Sequence, residues 1–378
     1  MTAARGAAGL ALAWATLAGA ATGCSTRALN LYAPSRNADI LFVIDDSSNT
    51  ARLQQSLVRN FPVFIQRLSD PSHAADVAHA AGLANLHIAV VSTDMGAGDG
   101  SIAGCDANGG KNGVFQHAAR GGCQATGLDA GATYISDVDG VKNYGGNLED
   151  VFACIAPLGE SGCRFQHPLA AAARALGADG QPPPAENQGF LRKEGFLFVV
   201  VVTNQDDCSA PNGSGLFDTK SNRTLTSTLG PPSTFRCNEF GHLCNGQKPP
   251  RVPPSGHASD IVSLDGCVSA EHQGMLTPVV TIADQLRSLK LYPDEQLLVG
   301  AISGPSSPYF VHWTSASGGP LPSVSAACIA SDSSSATPAI RINQWVQSFG
   351  DNGVVMSACS DNFGPAFDRL ATIMNVED

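Results

Sequence analysis

The sequence predicts an α/β fold: a doubly wound, mostly parallel sheet flanked by helices, with long disulfide-stapled loops. Three observations predict it. Apolar runs at 39–44, 86–93, 195–202 and 295–303 show no alternation, as expected of strands covered on both faces. Stretches with helical spacing separate them, and buried strands joined through a helix pair in parallel by a right-handed crossover. The runs at 39–44, 86–93 and 195–202 lead into small oxygen-bearing residues, which places those oxygens at the carboxyl rim of the sheet. That rim is where open α/β folds bind their ligands.

At 378 residues the chain is long for one domain, and its insertions take up the excess. A net charge of −11 offers phosphates no basic face, which argues against nucleic acid and against electrostatic attachment to anionic lipid. Residues 1–23 read as a signal peptide: Arg5 is the sole charge before an alanine-rich run too short to span a membrane. The run ends Ala21-Thr22-Gly23-Cys24, which resembles a bacterial lipobox, with Ala21 where leucine is usual. Ordinary signal-peptidase cleavage near Ala20 or Ala21 is the alternative. The cysteine count bears on the choice, because eleven is odd for an exported protein. If Cys24 carries lipid, ten remain that can pair completely in an oxidising compartment: Cys105, Cys123, Cys154, Cys163, Cys208, Cys237, Cys244, Cys267, Cys328 and Cys359. The expected protein is then a cell-envelope lipoprotein, anchored to the outer membrane through lipid alone, with a tether over 24–38 and a domain over 39–378.

The elements follow in order. The strand at 39–44 leads to a helix over 52–68, with Leu53, Leu57, Phe61, Phe64, Ile65 and Leu68 on one face and a kink expected at Pro62. The strand at 86–93 ends at Asp94. An insertion at 96–146 follows, in which Cys105 and Cys123 are expected to pair. Asn147 is placed to cap a helix, and another starts near Pro168; Cys154 pairs easily with Cys163 if the chain reverses between them. The central strand at 195–202 precedes an insertion at 204–275, whose Cys237, His242, Cys244 and His257 match no closed zinc module. A helix over 277–289 presents Val280, Ala283, Leu286 and Leu289, and the strand at 295–303 leads to an insertion at 304–337. Its Tyr309, Phe310 and Trp313 form either a contact patch or part of the core. A helix at 339–349, a strand at 354–358 and a helix at 363–374 close the chain.

Two stretches carry the chemistry. After the first strand come Asp45, Asp46, Ser47, Ser48 and Asn49, so that Asp45, Ser47 and Asn49 can aim three oxygens at one point, as hard cations require. The simpler alternative is a polar turn capping the next helix. After the central strand come Thr203, Asn204, Gln205, Asp206 and Asp207. Together these stretches resemble a von Willebrand factor A-type domain over residues 39–375, whose metal-ion-dependent adhesion site begins Asp-x-Ser-x-Ser. Here the third position is Asn49, and Asn204 stands where the family has an aspartate. The family's threonine from a middle loop has no counterpart, and Ser161 is the nearest hydroxyl. The resemblance implies a site for Mg²⁺, Mn²⁺ or Ca²⁺ made from Asp45, Ser47, Asn49, Ser161, Asn204 and Asp206, with Asp94 and Asp207 as secondary rim acids. It also implies that a protein ligand completes the coordination through an acidic side chain.

No G-x-S-x-G, H-E-x-x-H or P-loop motif occurs, so the expected protein is a binding module and not an enzyme. A metal-free scaffold in an envelope assembly and a metal-assisted hydrolase are the alternatives.

Overall fold

The computed structural model describes residues 37–69, 85–98, 102, 104–105, 109–120, 123, 127–211, 213–220, 223–316 and 319–375. The signal peptide, Cys24 and nearly all of the tether lie outside the described residues. The strands in chain order are β1 (Asn37–Ile44), β2 (Asn85–Ser92), β3 (Ile135–Val138), β4 (Val141–Lys142), β5 (Phe196–Val202), β6 (His242–Cys244) and β7 (Ile261–Leu264). They continue as β8 (Cys267–Ser269), β9 (Leu297–Ser303), β10 (Tyr309–Thr314), β11 (Leu321–Val324), β12 (Cys328–Ile329), β13 (Ser335–Ala336) and β14 (Gly353–Ser357). The α-helices are α1 (Ala51–Ser69), α2 (Leu148–Ile155), α3 (Pro168–Leu176), α4 (Phe235–Gly241), α5 (Val279–Arg287), α6 (Pro293–Gln296), α7 (Ile340–Gln347) and α8 (Gly364–Asn375).

A seven-stranded sheet runs β14-β9-β5-β1-β2-β3-β4. β1, β2, β5, β9 and β14 are parallel, while β3 adds antiparallel to β2 and turns back into β4. From β1 the chain steps outward one way to β2 and β3, then returns to β5 on the other side and continues to β9 and β14. The strand order therefore reverses between β1 and β5, and a crevice at that switch point is the expected ligand position in such a sheet.

The unbroken apolar strands are explained by two helical layers. Ile40, Phe42 and Ile44 face one core with α1, α2 and α8, and the rings of Phe61 and Phe152 stack there at 3.7 Å. Leu41 and Val43 face the other core with α3, α5 and α7. Each strand residue is buried whichever way it points, so alternation has no physical basis here.

Several expectations need correction. The helix α1 continues through Pro62, whose side of the helix is exposed. In α5 the buried residues are Val279, Ile282, Ala283 and Leu286, and Val280 faces solvent. The insertions contain more order than their composition indicates: the first supplies the β3–β4 hairpin, while β7, β10 and β11 form a separate three-stranded sheet. Tyr309 and Trp313 are buried with Phe235 and Ile340 in a satellite core, so they are packing residues and not an exposed contact patch.

All ten cysteines after Cys24 form disulfides, but two pairings differ from expectation. Cys105 bonds Cys163 and Cys123 bonds Cys154, in place of Cys105–Cys123 and Cys154–Cys163. Sequence proximity misled here because both bonds tie the first insertion to the segment around α2. The other bonds are Cys208–Cys237, Cys244–Cys267 and Cys328–Cys359. Among the described residues no helix is long and apolar enough to cross a membrane.

Candidate functional site

The ends of β1 and β5 meet at the switch point. The amide of Asp45 donates to the carbonyl of Val202 at 2.9 Å, so the ladder continues one residue past β1 before the loops diverge. The Asp45 carboxylate is buried and held from both sides: the Ser47 amide donates to Oδ1 at 2.8 Å, and the Thr203 hydroxyl donates to Oδ2 at 2.7 Å. The Thr50 hydroxyl donates to the Ser47 carbonyl at 2.7 Å. Asn49 adopts φ 67°, a left-handed conformation that asparagine tolerates better than most residues. The Asn204 side-chain amide donates to the Asn49 carbonyl at 3.0 Å, joining the two loops.

A third loop, 157–167, packs against this pair. Gln54, on the first turns of α1, donates to the carbonyls of Asp45 and Gly159, both at 2.8 Å, and accepts from the Gly159 amide at 3.1 Å. Glu160 accepts from the amides of Thr50 and Ala51 at 2.8 and 3.1 Å, satisfying donors at the start of α1 that the helix itself leaves open. The expected contributor from this loop, Ser161, is exposed beside Glu160. The anchors Gln54, Glu160 and Thr203 escaped sequence reasoning. Thr203 had a signal, since it follows the most β-branched strand, but Gln54 and Glu160 are separated by more than a hundred residues and carry no motif.

The acids of the rim fall into two kinds. Asp46 accepts from the Ser92 hydroxyl at 2.7 Å and pairs with the Lys111 ammonium. Asp206 pairs with His242 at 2.7 Å and accepts from the amides of Arg341, Ile342 and Asp207 at 2.9, 3.1 and 2.8 Å. Burial pushes the Asp206 carboxyl up, but the bond to His242 and its charge outweigh this and hold it below the usual range. Both its oxygens are spent at the start of α7, so the rim position foreseen for Asp206 is corrected to a structural one. Asp207 likewise pairs with Arg341 at 2.9 Å. Asp94 takes the Gly96 amide at 2.8 Å, and Lys111 opposes the upward push that burial gives its carboxyl.

No cationic side chain pairs with Asp45 among the described residues, and burial pushes its carboxyl up to about 6; burial also raises the carboxyls of Asp94 and Asp207, against which Lys111 and Arg341 act. Two other oxygens at this rim lack partners among the described residues. Ser47 Oγ lies near enough to the Asp45 carboxylate to favour its charge, yet is buried without a partner at hydrogen-bond geometry. Asn204 Oδ1 is buried without one as well. Each such group costs about 1–3 kcal/mol. A cation that accepts oxygen ligands would offset all three costs, so the residues present fit one. Among the described residues no three His, Cys, Asp or Glu side chains gather as a metal site, and the Asp45 group offers one carboxylate and neutral oxygens instead.

A cleft of about 730 Å³ opens over the rim, bordered by Asn49, Glu160, Arg164, Asn204, Ser233 and Ser335. The four residues weighed as a zinc site do not form one: Cys237 and Cys244 are in disulfides, and His242 lies between Asp206 and the Tyr309 hydroxyl.

Fold and rim together define an open α/β protein with a polar site at its topological switch point. No family model matches the chain, and no curated protein matches it. Among solved structures the chain is similar to the pilus adhesin SpaC from Lactobacillus rhamnosus GG, at 11% identity and a TM-score of 0.32, over 90% of this chain. The match spans 30% of the adhesin's length. At that score and identity it assigns this chain neither a family nor a function.

Proposed function

We propose that the protein is a binding module of the A-domain type that takes a protein ligand at the β1–β5 rim, through Mg²⁺, Mn²⁺ or Ca²⁺ held by Asp45, Ser47 and Asn204. One observation carries this reading: Asp45 is a buried rim acid with no cationic partner among the described residues, in a region where two further oxygens are unpaired. The doubly wound strand order supports it by placing that group at the switch point. A bound ion would supply an attraction for a ligand oxygen, such as a partner's carboxylate. Asn49, exposed at the cleft, and the exposed Ser161 of the neighbouring loop are proposed to contact the ligand, and Arg164 gives the cleft a cationic border. Binding is favoured over hydrolysis because His242, the histidine that touches Asp206, is spent on Asp206 and Tyr309. Export and a lipid anchor at Cys24 belong to the same reading and rest on the sequence alone.

With one carboxylate in the set, affinity should be modest. Calorimetric titration with each of the three ions is expected to show saturable binding by the wild type, weakened by at least about tenfold in Asp45→Ala. No heat and no thermal shift in the wild type would favour the metal-free scaffold, for which the engagement of Asp206 elsewhere already argues.

A further inference from the structure

Asp46 adjoins Asp45 in sequence, and its charge raises the Asp45 carboxyl. It is fully buried, yet it is enclosed in a way that Asp45 is not. The Ser92 hydroxyl holds Oδ1, the Lys111 ammonium meets Oδ2, and the Gly162 amide donates to its carbonyl at 2.7 Å. The fit is close on two sides. A side chain at Gly162 would come within 2.1 Å of the Asp46 carboxylate, and one at Gly110, beside Lys111, within 2.3 Å of the Asp94 carboxylate. Gly110 also has φ 61°, which favours glycine, and the Lys111 amide donates to the Asp94 carbonyl at 2.9 Å. The segment carrying Lys111 is thus seated on the rim through its backbone as well as its charge. Lys111 belongs to the first insertion, not to the sheet, and its side chain is about one-third exposed.

We propose that Lys111 is a built-in counter-cation that regulates the proposed ion site by offsetting the charge of Asp46, the carboxylate adjoining Asp45. The inference rests on the cation reading of the same rim. Its chemistry is that of competing cations: a tethered ammonium occupies Asp46, so a diffusible ion meets one negative charge instead of two. In a poorly solvated rim, removing or adding one nearby charge changes ion affinity by an order of magnitude or more.

A double-mutant cycle read by calorimetry with Mn²⁺ and Ca²⁺ tests this. Lys111→Met is expected to bind the ions at least about tenfold more tightly than the wild type, because the Asp46 charge is no longer offset by the ammonium. Asp46→Asn, which leaves the ammonium unopposed, should bind at least about tenfold more weakly, and the double variant should return close to the wild type. A merely structural role would weaken binding in both single variants, and that result would overturn the proposal. If Lys111→Met does not fold, the Asp46→Asn and double variants still decide it, since restoration in the double requires opposing charges. Binding by the wild type without tightening in Lys111→Met defeats the regulatory role and leaves the cation reading intact. Binding only in Lys111→Met supports the role of Lys111 and defeats the reading for the wild type. No binding by any variant defeats both.

Discussion

Replacing Asp45 by asparagine is expected to make the metal-free protein more stable at neutral pH by about 2–3 kcal/mol, and to abolish its response to divalent ions. Asp45 loses hydration and gains only the Ser47 amide and the Thr203 hydroxyl in return, so its carboxyl rises from 3.8 to about 6. A carboxyl raised on folding contributes its full stability below pH 3.8, and loses it as pH climbs through 6, where the folded chain must carry the buried charge. Asparagine keeps the shape and has no charge to bury. Urea unfolding at pH 4 and pH 7.5 without metal should therefore give similar stabilities at pH 4 and a clear advantage for Asp45→Asn at pH 7.5. Such a gain on removing a site residue is the expected mark of a position selected for binding over stability. A loss of stability at pH 7.5 would mean that the Asp45 charge is already compensated within the protein.

The opposite result is expected at the neighbouring pair. Arg341→Met should destabilise the fold by about 3–5 kcal/mol at neutral pH, because it leaves the Asp207 carboxylate buried and uncompensated. Both side chains are almost wholly buried. The guanidinium also donates to the Ser269 hydroxyl at 2.9 Å and the Thr277 carbonyl at 2.6 Å, so one residue of α7 ties together the loop after β5, the end of β8 and the segment leading into α5. Adding Asp207→Asn to Arg341→Met should recover part of the loss. Urea unfolding with disulfides intact measures both, and a cost below about 1 kcal/mol for Arg341→Met would show that the acid is neutral or hydrated when folded.

The contrast between these two aspartates also explains how far the sequence could be read. Buried parallel strands betray themselves by apolar runs bounded by polar turns, so β1, β2, β5 and β9 were legible, as was the capping of α2 by Asn147. What decides the role of an acid is its partner, and the partners of Asp46, Asp206 and Asp207 come from distant insertions and from α7. Asp45 and Asp206 therefore look equivalent in the sequence, while one has no cationic partner among the described residues and the other is held by His242 and three amides. The same limit explains the cysteines. Complete pairing followed from their number once Cys24 was set aside, but the choice of Cys163 for Cys105 depended on how a loop without periodicity folds back.

Anomalous diffraction from crystals soaked in Mn²⁺ reads directly whether Asp45, Ser47 and Asn204 form a cation site at the switch point. A peak is expected, bonded within about 2.6 Å to oxygens of Asp45 and Ser47, with Asn204 in the same shell. A saturating soak that leaves this rim without a peak, or places the ion on Asp46 or Asp94 instead, would contradict it.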